Sequence, residues 1–312
     1  MKLAFLYAGQ GSQHAGMGKD LYEHSAAFRA VFDSVQLDFD HKALCFDGPD
    51  ETLSDTRYTQ PCMVAFACGV TAALAAEGIL PEAAAGLSLG EYSALACAGV
   101  FTPEQAIRLA AFRGAAMASA VQGRACGMAA VLGLARETLA ACCEQASGQG
   151  VCEIANYNCP GQMAIAGDAA AVERACELAK EAGARRCLQL KVSGPFHTSL
   201  MAPAAAALTQ RFSGETFGAM NFPVYFNCLG GPMGEGDTIP ALLEKQVRSS
   251  VYMEDTLRRL ADDGIDRVIE IGPGRVLSGL WKKTVTERKV PVLGVETAAE
   301  LAEAVRMLQE EN

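Results

Sequence analysis

Two kinds of side chain in this sequence are placed to do covalent chemistry: a serine framed by glycines, and one or more of four histidines. Gly86-Leu87-Ser88-Leu89-Gly90 has the form GxSxG and lies between a short apolar run and a helical pattern. Glycine at both ends lets the chain turn sharply, so that the Ser88 hydroxyl is exposed at a sheet edge with a helix N-terminus beneath it. The backbone N–H of Leu89 then points to where an oxyanion would develop. An ordinary strand-to-helix turn in a glycine-rich loop can carry the same letters.

A serine hydroxyl is a weak nucleophile near neutral pH and needs a base within hydrogen-bond reach. His24, on a polar helix face, and His41, between helical and loop segments, read as surface residues; His14, in the first glycine-rich loop, is a minor candidate. His197, in Val192-Ser193-Gly194-Pro195-Phe196-His197-Thr198, enters a helix from a loop, where α/β enzymes often present their functional residues. Helix capping or packing is the alternative for His197. The twelve cysteines include no CxxC pair, and Cys62, Cys68, Cys97 and Cys176 fall in apolar helical runs. They read as reduced thiols, and with so few histidines a zinc site is poorly supplied.

The elements that must position these residues alternate. An apolar run at 3–7 ends in a glycine-rich turn and reads as a buried strand; helices are predicted over 18–35 and 61–77, with Pro61 in the first turn and Gly78 past the end. A strand over 83–87 leads to a helix from about Gly90, and Thr102 opens a long alanine-rich helix to about Val121. From Gly123 the pattern shortens: strand 128–132, helix 136–146, strands 151–157 and 162–166 joined by Asn158-Cys159-Pro160-Gly161, helix 168–182 and strand 186–191. That βαββαβ order is ferredoxin-like. Helices follow at 199–212, 240–246, 253–262, 276–286 and from Ala298, with strands at 224–227, 267–271 and 290–293. The fold class is therefore α/β: a larger hydrolase-like domain with a mostly parallel sheet (1–123 and 192–312) and an inserted ferredoxin-like small domain (124–191).

Half of the 312 residues are hydrophobic and a fifth are charged, which suits a globular protein with a sizeable core. A net charge of −10 argues against a nucleic-acid partner, although a local basic patch for an acidic protein is compatible with it. The N-terminal apolar run is too short for a signal peptide, and the longest apolar stretch, 63–76, is too short to cross a bilayer. The chain reads as cytoplasmic, with no membrane partner.

Taken together, the motifs resemble the malonyl-CoA:acyl carrier protein transacylase family. Tyr7-Ala8-Gly9-Gln10-Gly11-Ser12-Gln13, Gly86-Leu87-Ser88-Leu89-Gly90-Glu91, Phe112-Arg113-Gly114, Asn156-Tyr157-Asn158-Cys159-Pro160-Gly161-Gln162, Gly194-Pro195-Phe196-His197 and Glu270-Ile271-Gly272-Pro273-Gly274-Arg275-Val276-Leu277 occur in the family's order across essentially the whole chain. The resemblance implies that Ser88 attacks a thioester and His197 acts as its base, oriented by a main-chain carbonyl near Gln246. It implies an oxyanion hole from the N–H groups of Gln10 and Leu89, with Arg113 gripping the malonyl carboxylate through its planar fork. On its own, Arg113 reads as a surface residue of an alanine-rich helix.

The reaction implied is ping-pong transfer of malonyl from malonyl-CoA to the phosphopantetheine thiol of acyl carrier protein, supplying extender units for fatty-acid synthesis. It needs no metal or organic cofactor, CoA being the substrate's carrier, and the family favours a monomer. Arg275, Lys282, Lys283, Arg288 and Lys289 are candidates for a patch that meets an acidic carrier protein. Two positions depart from the family: Leu87 stands where histidine usually precedes the serine, and Ala8 where proline is common. By resemblance to related polyketide acyltransferases, Phe196, the bulky choice before His197, implies a preference for malonyl over methylmalonyl by filling space near the α-carbon. The competing readings are a serine esterase or thioesterase, which would place an acidic triad member between serine and histidine, and a non-catalytic carrier-protein-binding relative.

Overall fold

The computed structural model describes residues 2–190 and 194–310. Its strands are β1 (Leu3–Tyr7), β2 (Ala83–Gly86), β3 (Cys126–Leu132), β4 (Cys152–Cys159), β5 (Gln162–Asp168), β6 (Arg186–Gln189), β7 (Val224–Phe226), β8 (Gly231–Pro232), β9 (Val251–Tyr252), β10 (Arg267–Ile271) and β11 (Val292–Val295). The chain forms two compact units, one of Met1–Gly114, Phe217–Phe226 and Arg258–Asn312, the other of Ala115–Thr216 and Asn227–Leu257.

In the first unit the strands run in the order β11-β10-β1-β2-β7, each parallel to its neighbour. The central β1 is buried along its whole length, as an apolar run without alternation requires of a strand covered on both faces. Helix Thr56–Ala76 meets this strand where the Thr71 and Tyr7 hydroxyls lie 2.9 Å apart. By length and composition it could cross a membrane, but 78% of its most apolar window is buried within the protein, which makes it a core helix. It begins earlier than the expected 61–77, because the Asp55 side chain accepts from the N–H of Arg57 and caps it, leaving Pro61 inside the helix. The predicted helix 18–35 is instead two helices, Lys19–His24 and Ala26–Ser34. Ser25 between them is extended, and its side chain accepts from Phe28 N–H to start the second.

Glu270, fully buried on β10, explains the motif that follows it. Its carboxylate accepts from the N–H groups of Leu277 and Ser278 at 2.8 and 2.7 Å, capping helix Val276–Thr284.

The second unit's sheet runs β6-β3-β5-β4-β9. β3, β4, β5 and β6 pair antiparallel, with helices Arg136–Ala146 and Ala169–Glu181 in the crossovers, so the βαββαβ chain closes in the ferredoxin-like order. Leu139, Ile154, Ile165, Val172 and Ala175 meet in its core. This unit takes in more chain than the expected 124–191. Val251–Tyr252 adds a parallel edge strand beside β4, and helix Ala202–Phe212 packs on Ile239–Val247, so contacts distant in sequence gather around the smaller sheet. β6 ends at Gln189; Lys191, the expected domain boundary at 191/192, and Val192 and Ser193 of the His197 motif lie outside the described residues.

Candidate active site

The turn after β2 is built by close backbone contacts. Leu87 N–H donates to the Tyr7 carbonyl at 3.0 Å, and Gly90 N–H to the Leu87 carbonyl at 3.0 Å, before helix Gly90–Cys97 begins. Ser88 adopts φ 52°, a left-handed conformation that a non-glycine residue holds only when its surroundings impose it. Gly86 makes the turn possible: a Cβ there would lie 1.9 Å from the carbonyl carbon of Gly90. Gly86→Ala is expected to yield protein with a collapsed melting transition, checked by calorimetry; a native-like transition would show that the turn can open.

The first loop runs against this turn, since a Cβ on Gly9 would meet the Leu87 carbonyl oxygen at 2.5 Å. Gln10 follows, its side-chain amide donating to Thr56 Oγ1 at 2.9 Å. Leu89, whose N–H is the other expected oxyanion donor, is buried at the helix start.

Arg113 is not the surface residue that its helix suggests. It is 1% exposed, donating from Nη2 to Ser88 Oγ at 3.1 Å and from Nη1 to Gln60 Oε1 at 2.9 Å. Its guanidinium lies 5.6 Å from the centre of the Tyr92 ring. Burial pushes its pKa down, opposed by Tyr92 and Glu91, yet arginine starts so high that the charge persists. Gln60 and Thr56 were not anticipated from sequence. They are polar residues four apart in the first turns of a helix that is largely apolar from Pro61 on, and both are fully buried.

The second unit holds the other two expected residues together. His197 is buried with φ 62°, and its Nδ1 lies 2.9 Å from the main-chain carbonyl oxygen of Gln246. A carbonyl only accepts, so Nδ1 carries the hydrogen and Nε2 is left as the basic nitrogen. Gln246 is buried in helix Ile239–Val247, which fixes the carbonyl. Glu153 holds the segment after the histidine, accepting from Ser199 N–H at 2.9 Å and Ser199 Oγ at 2.5 Å. Ser88, Arg113 and Gln10 thus belong to one unit and His197 and Gln246 to the other.

Comparison with known proteins decides the family. Residues 4–309 match the acyl transferase domain. The malonyl CoA-acyl carrier protein transacylase of Bacillus subtilis is 40% identical, covering 100% of this chain and 98% of that protein. The chain belongs to the malonyl CoA-acyl carrier protein transacylases of the acyl transferase family. The Escherichia coli K12 member is 39% identical over 91% of this chain and 93% of its own. A crystal structure of the Clostridium perfringens enzyme superposes with TM-score 0.95 at 38% identity, covering 100% of this chain and 98% of that one. A type II polyketide acyl-carrier protein in complex with its malonyl-transacylase gives TM-score 0.94 at 37% identity, over 98% and 100%.

In this acyltransferase the remaining histidines are held elsewhere. His41, expected at the surface, is 5% exposed; its Nε2 contacts the Phe32 carbonyl at 3.0 Å, because it opens helix His41–Asp47 against the Phe32 ring. His24 is exposed, with Nδ1 on the Asp20 carbonyl. His14 is raised in pKa by its contact with the Ala15 carbonyl and then by Glu296, which its Nε2 meets at 2.7 Å. Of the basic candidates, Arg275 is paired with Glu300 and Glu296, whereas Lys282, Lys283, Arg288 and Lys289 are exposed.

Proposed function

We propose that this acyltransferase moves malonyl from malonyl-CoA to the phosphopantetheine thiol of acyl carrier protein through a malonyl ester on Ser88. His197 Nε2 takes the Ser88 proton as Oγ attacks the thioester carbonyl, and returns it to the departing CoA sulfur. The main-chain N–H groups of Gln10 and Leu89 receive the oxyanion. The carrier thiol then attacks the ester, His197 taking its proton and giving it back to Ser88 Oγ. Gln246 acts through its carbonyl, which sets the tautomer and heading of the imidazole. The reading calls on no metal or bound organic cofactor, CoA entering and leaving as carrier.

The observation that supports it most is Arg113 Nη2 at 3.1 Å from Ser88 Oγ in a buried setting. In a malonyl ester the distal carboxylate carbon is roughly 4 Å from the ester oxygen by ordinary bond lengths. The fork is therefore spaced for the acid end of a three-carbon unit. An acetyl group would leave the guanidinium buried without that carboxylate, so selection works by rejection as well as attraction.

The partners in this reading are malonyl-CoA and an acidic carrier protein that meets Lys282, Lys283, Arg288 and Lys289, with the enzyme acting as a cytoplasmic monomer that supplies fatty-acid synthesis. Arg113→Ala tests the central assignment. It is expected to lower kcat/KM for malonyl-CoA about a hundredfold or more, with acetyl-CoA much less affected, since hydrogen bonds to charged groups are each worth about 1.5–3 kcal/mol. Equal losses for the two donors, or none, would remove Arg113 from substrate recognition.

A further inference from the structure

The core of the second unit carries a thiol pair outside the proposed chemistry. Cys143, on helix Arg136–Ala146, and Cys152, the first residue of β4, have their Sγ atoms 3.8 Å apart, the Cys152 thiol donating to the Cys143 sulfur. A disulfide needs about 2.05 Å, so the sulfurs must close by a little under about 2 Å. The chain between them is short, the end of the helix followed by a single turn, Ser147–Gln149, and Gly150 at φ 127°. Their residues keep 5% and 8% exposure, so neither is wholly sealed from the surface. Cys45 and Cys62 also interact, but both are 0% exposed and sealed off. Cys187 spends its hydrogen on the Cys176 carbonyl at 3.6 Å.

We infer that Cys143 and Cys152 form a reversible disulfide when the protein meets hydrogen peroxide, and that this modification slows transfer. The hydrogen bond from Cys152 holds the Cys143 thiol below its usual range, which makes Cys143 the attacking sulfur. Its thiolate attacks one peroxide oxygen, the O–O bond breaks, and the leaving hydroxide takes a proton to become water, giving a sulfenic acid. The Cys152 sulfur attacks the Cys143 sulfur, the S–O bond breaks, and the departing hydroxide leaves as water with the Cys152 proton. One peroxide and two thiol hydrogens become one disulfide and two waters. A small thiol reverses it by exchange.

The effect on transfer follows from the neighbour of Cys152. Glu153 anchors Ser199, two residues beyond His197, and Ser250 Oγ donates to the Ile154 carbonyl at 2.6 Å. Drawing the start of β4 toward the helix moves these anchors and with them the His197 segment. This part rests on the assignment of His197 as base.

The test treats the full chain with hydrogen peroxide, alkylates remaining thiols, and digests after glutamate, which separates 138–144 from 145–153. The two peptides are expected joined, short of two hydrogens, and released by dithiothreitol. Cys143→Ser and Cys152→Ser, with Cys152→Ala as a second replacement of similar bulk, should lose the link, and Cys142→Ser should keep it. Malonyl transfer by the oxidised wild type should fall at least about tenfold and recover on reduction, since an ångström of misplacement can cost about 10²-fold. The same treatment should spare Cys152→Ser and Cys152→Ala. Full alkylation of both cysteines, or a link that survives Cys152→Ser, overturns the disulfide. A link with an unchanged rate overturns its effect on transfer. Failure of untreated enzyme to transfer malonyl would instead sink the assigned function.

Discussion

Ser88→Ala is expected to abolish the malonyl adduct and to reduce transfer by about 10⁴-fold or more, the scale seen when a nucleophile is removed and only binding and oxyanion donors remain. Intact mass after incubation with malonyl-CoA should show the added malonyl group on the wild-type chain and none on the variant. Stability and chemistry separate cleanly at this position. Ser88 holds φ 52°, so alanine inherits the same left-handed backbone at a cost of about 1–2 kcal/mol, whereas glycine relieves it. Ser88→Gly should therefore fold at least as well as the parent and be equally unable to form the adduct. A malonyl adduct that persists in both variants would relocate the nucleophile. One that forms on Ser88 but is not passed to a carrier thiol would leave only a hydrolase.

What the sequence made legible were the features set by local rules. β1 reads as a buried strand because five apolar residues run without alternation. Helix Arg136–Ala146 and strand Arg267–Ile271 fall where their periodicity puts them. The Ser88 turn is legible because Gly86 and Gly90 leave little else for the chain to do. Illegible features depend on what packs from far away. Nothing in the alanine-rich helix Pro103–Ser119 marks Arg113 as buried; that follows from Gln60, Tyr92 and Glu91 closing around it. His41 looked exposed because its cover, Phe32, comes from another helix. The strand Val251–Tyr252 is too short to announce itself and is defined by β4, nearly a hundred residues earlier. Chemistry-bearing residues were easier to find than their supports, since a nucleophile needs a particular letter while a brace needs only a particular place.

His197→Ala is expected to slow acylation of Ser88 by about 10²–10⁴-fold, the usual worth of a general base, while leaving KM for malonyl-CoA close to the parent's. The split follows from the roles assigned. In the proposed mechanism Arg113 would grip the carboxylate in ground and transition states alike, whereas His197 would act on a proton that moves only during the reaction. The 2.9 Å contact of Nδ1 with the Gln246 carbonyl fixes which nitrogen is basic, so the loss should be all of the base's contribution and none of the binding. His197 holds φ 62°, which alanine tolerates poorly. Asparagine is several-fold enriched in that region, so His197→Asn keeps the backbone while offering no basic nitrogen. Rapid-quench measurement of the malonyl-enzyme should give both variants the same slow acylation. If asparagine restored the rate, the defect in alanine would be one of backbone placement and the imidazole would not be the base. If both raised KM with kcat intact, the histidine would belong to substrate binding.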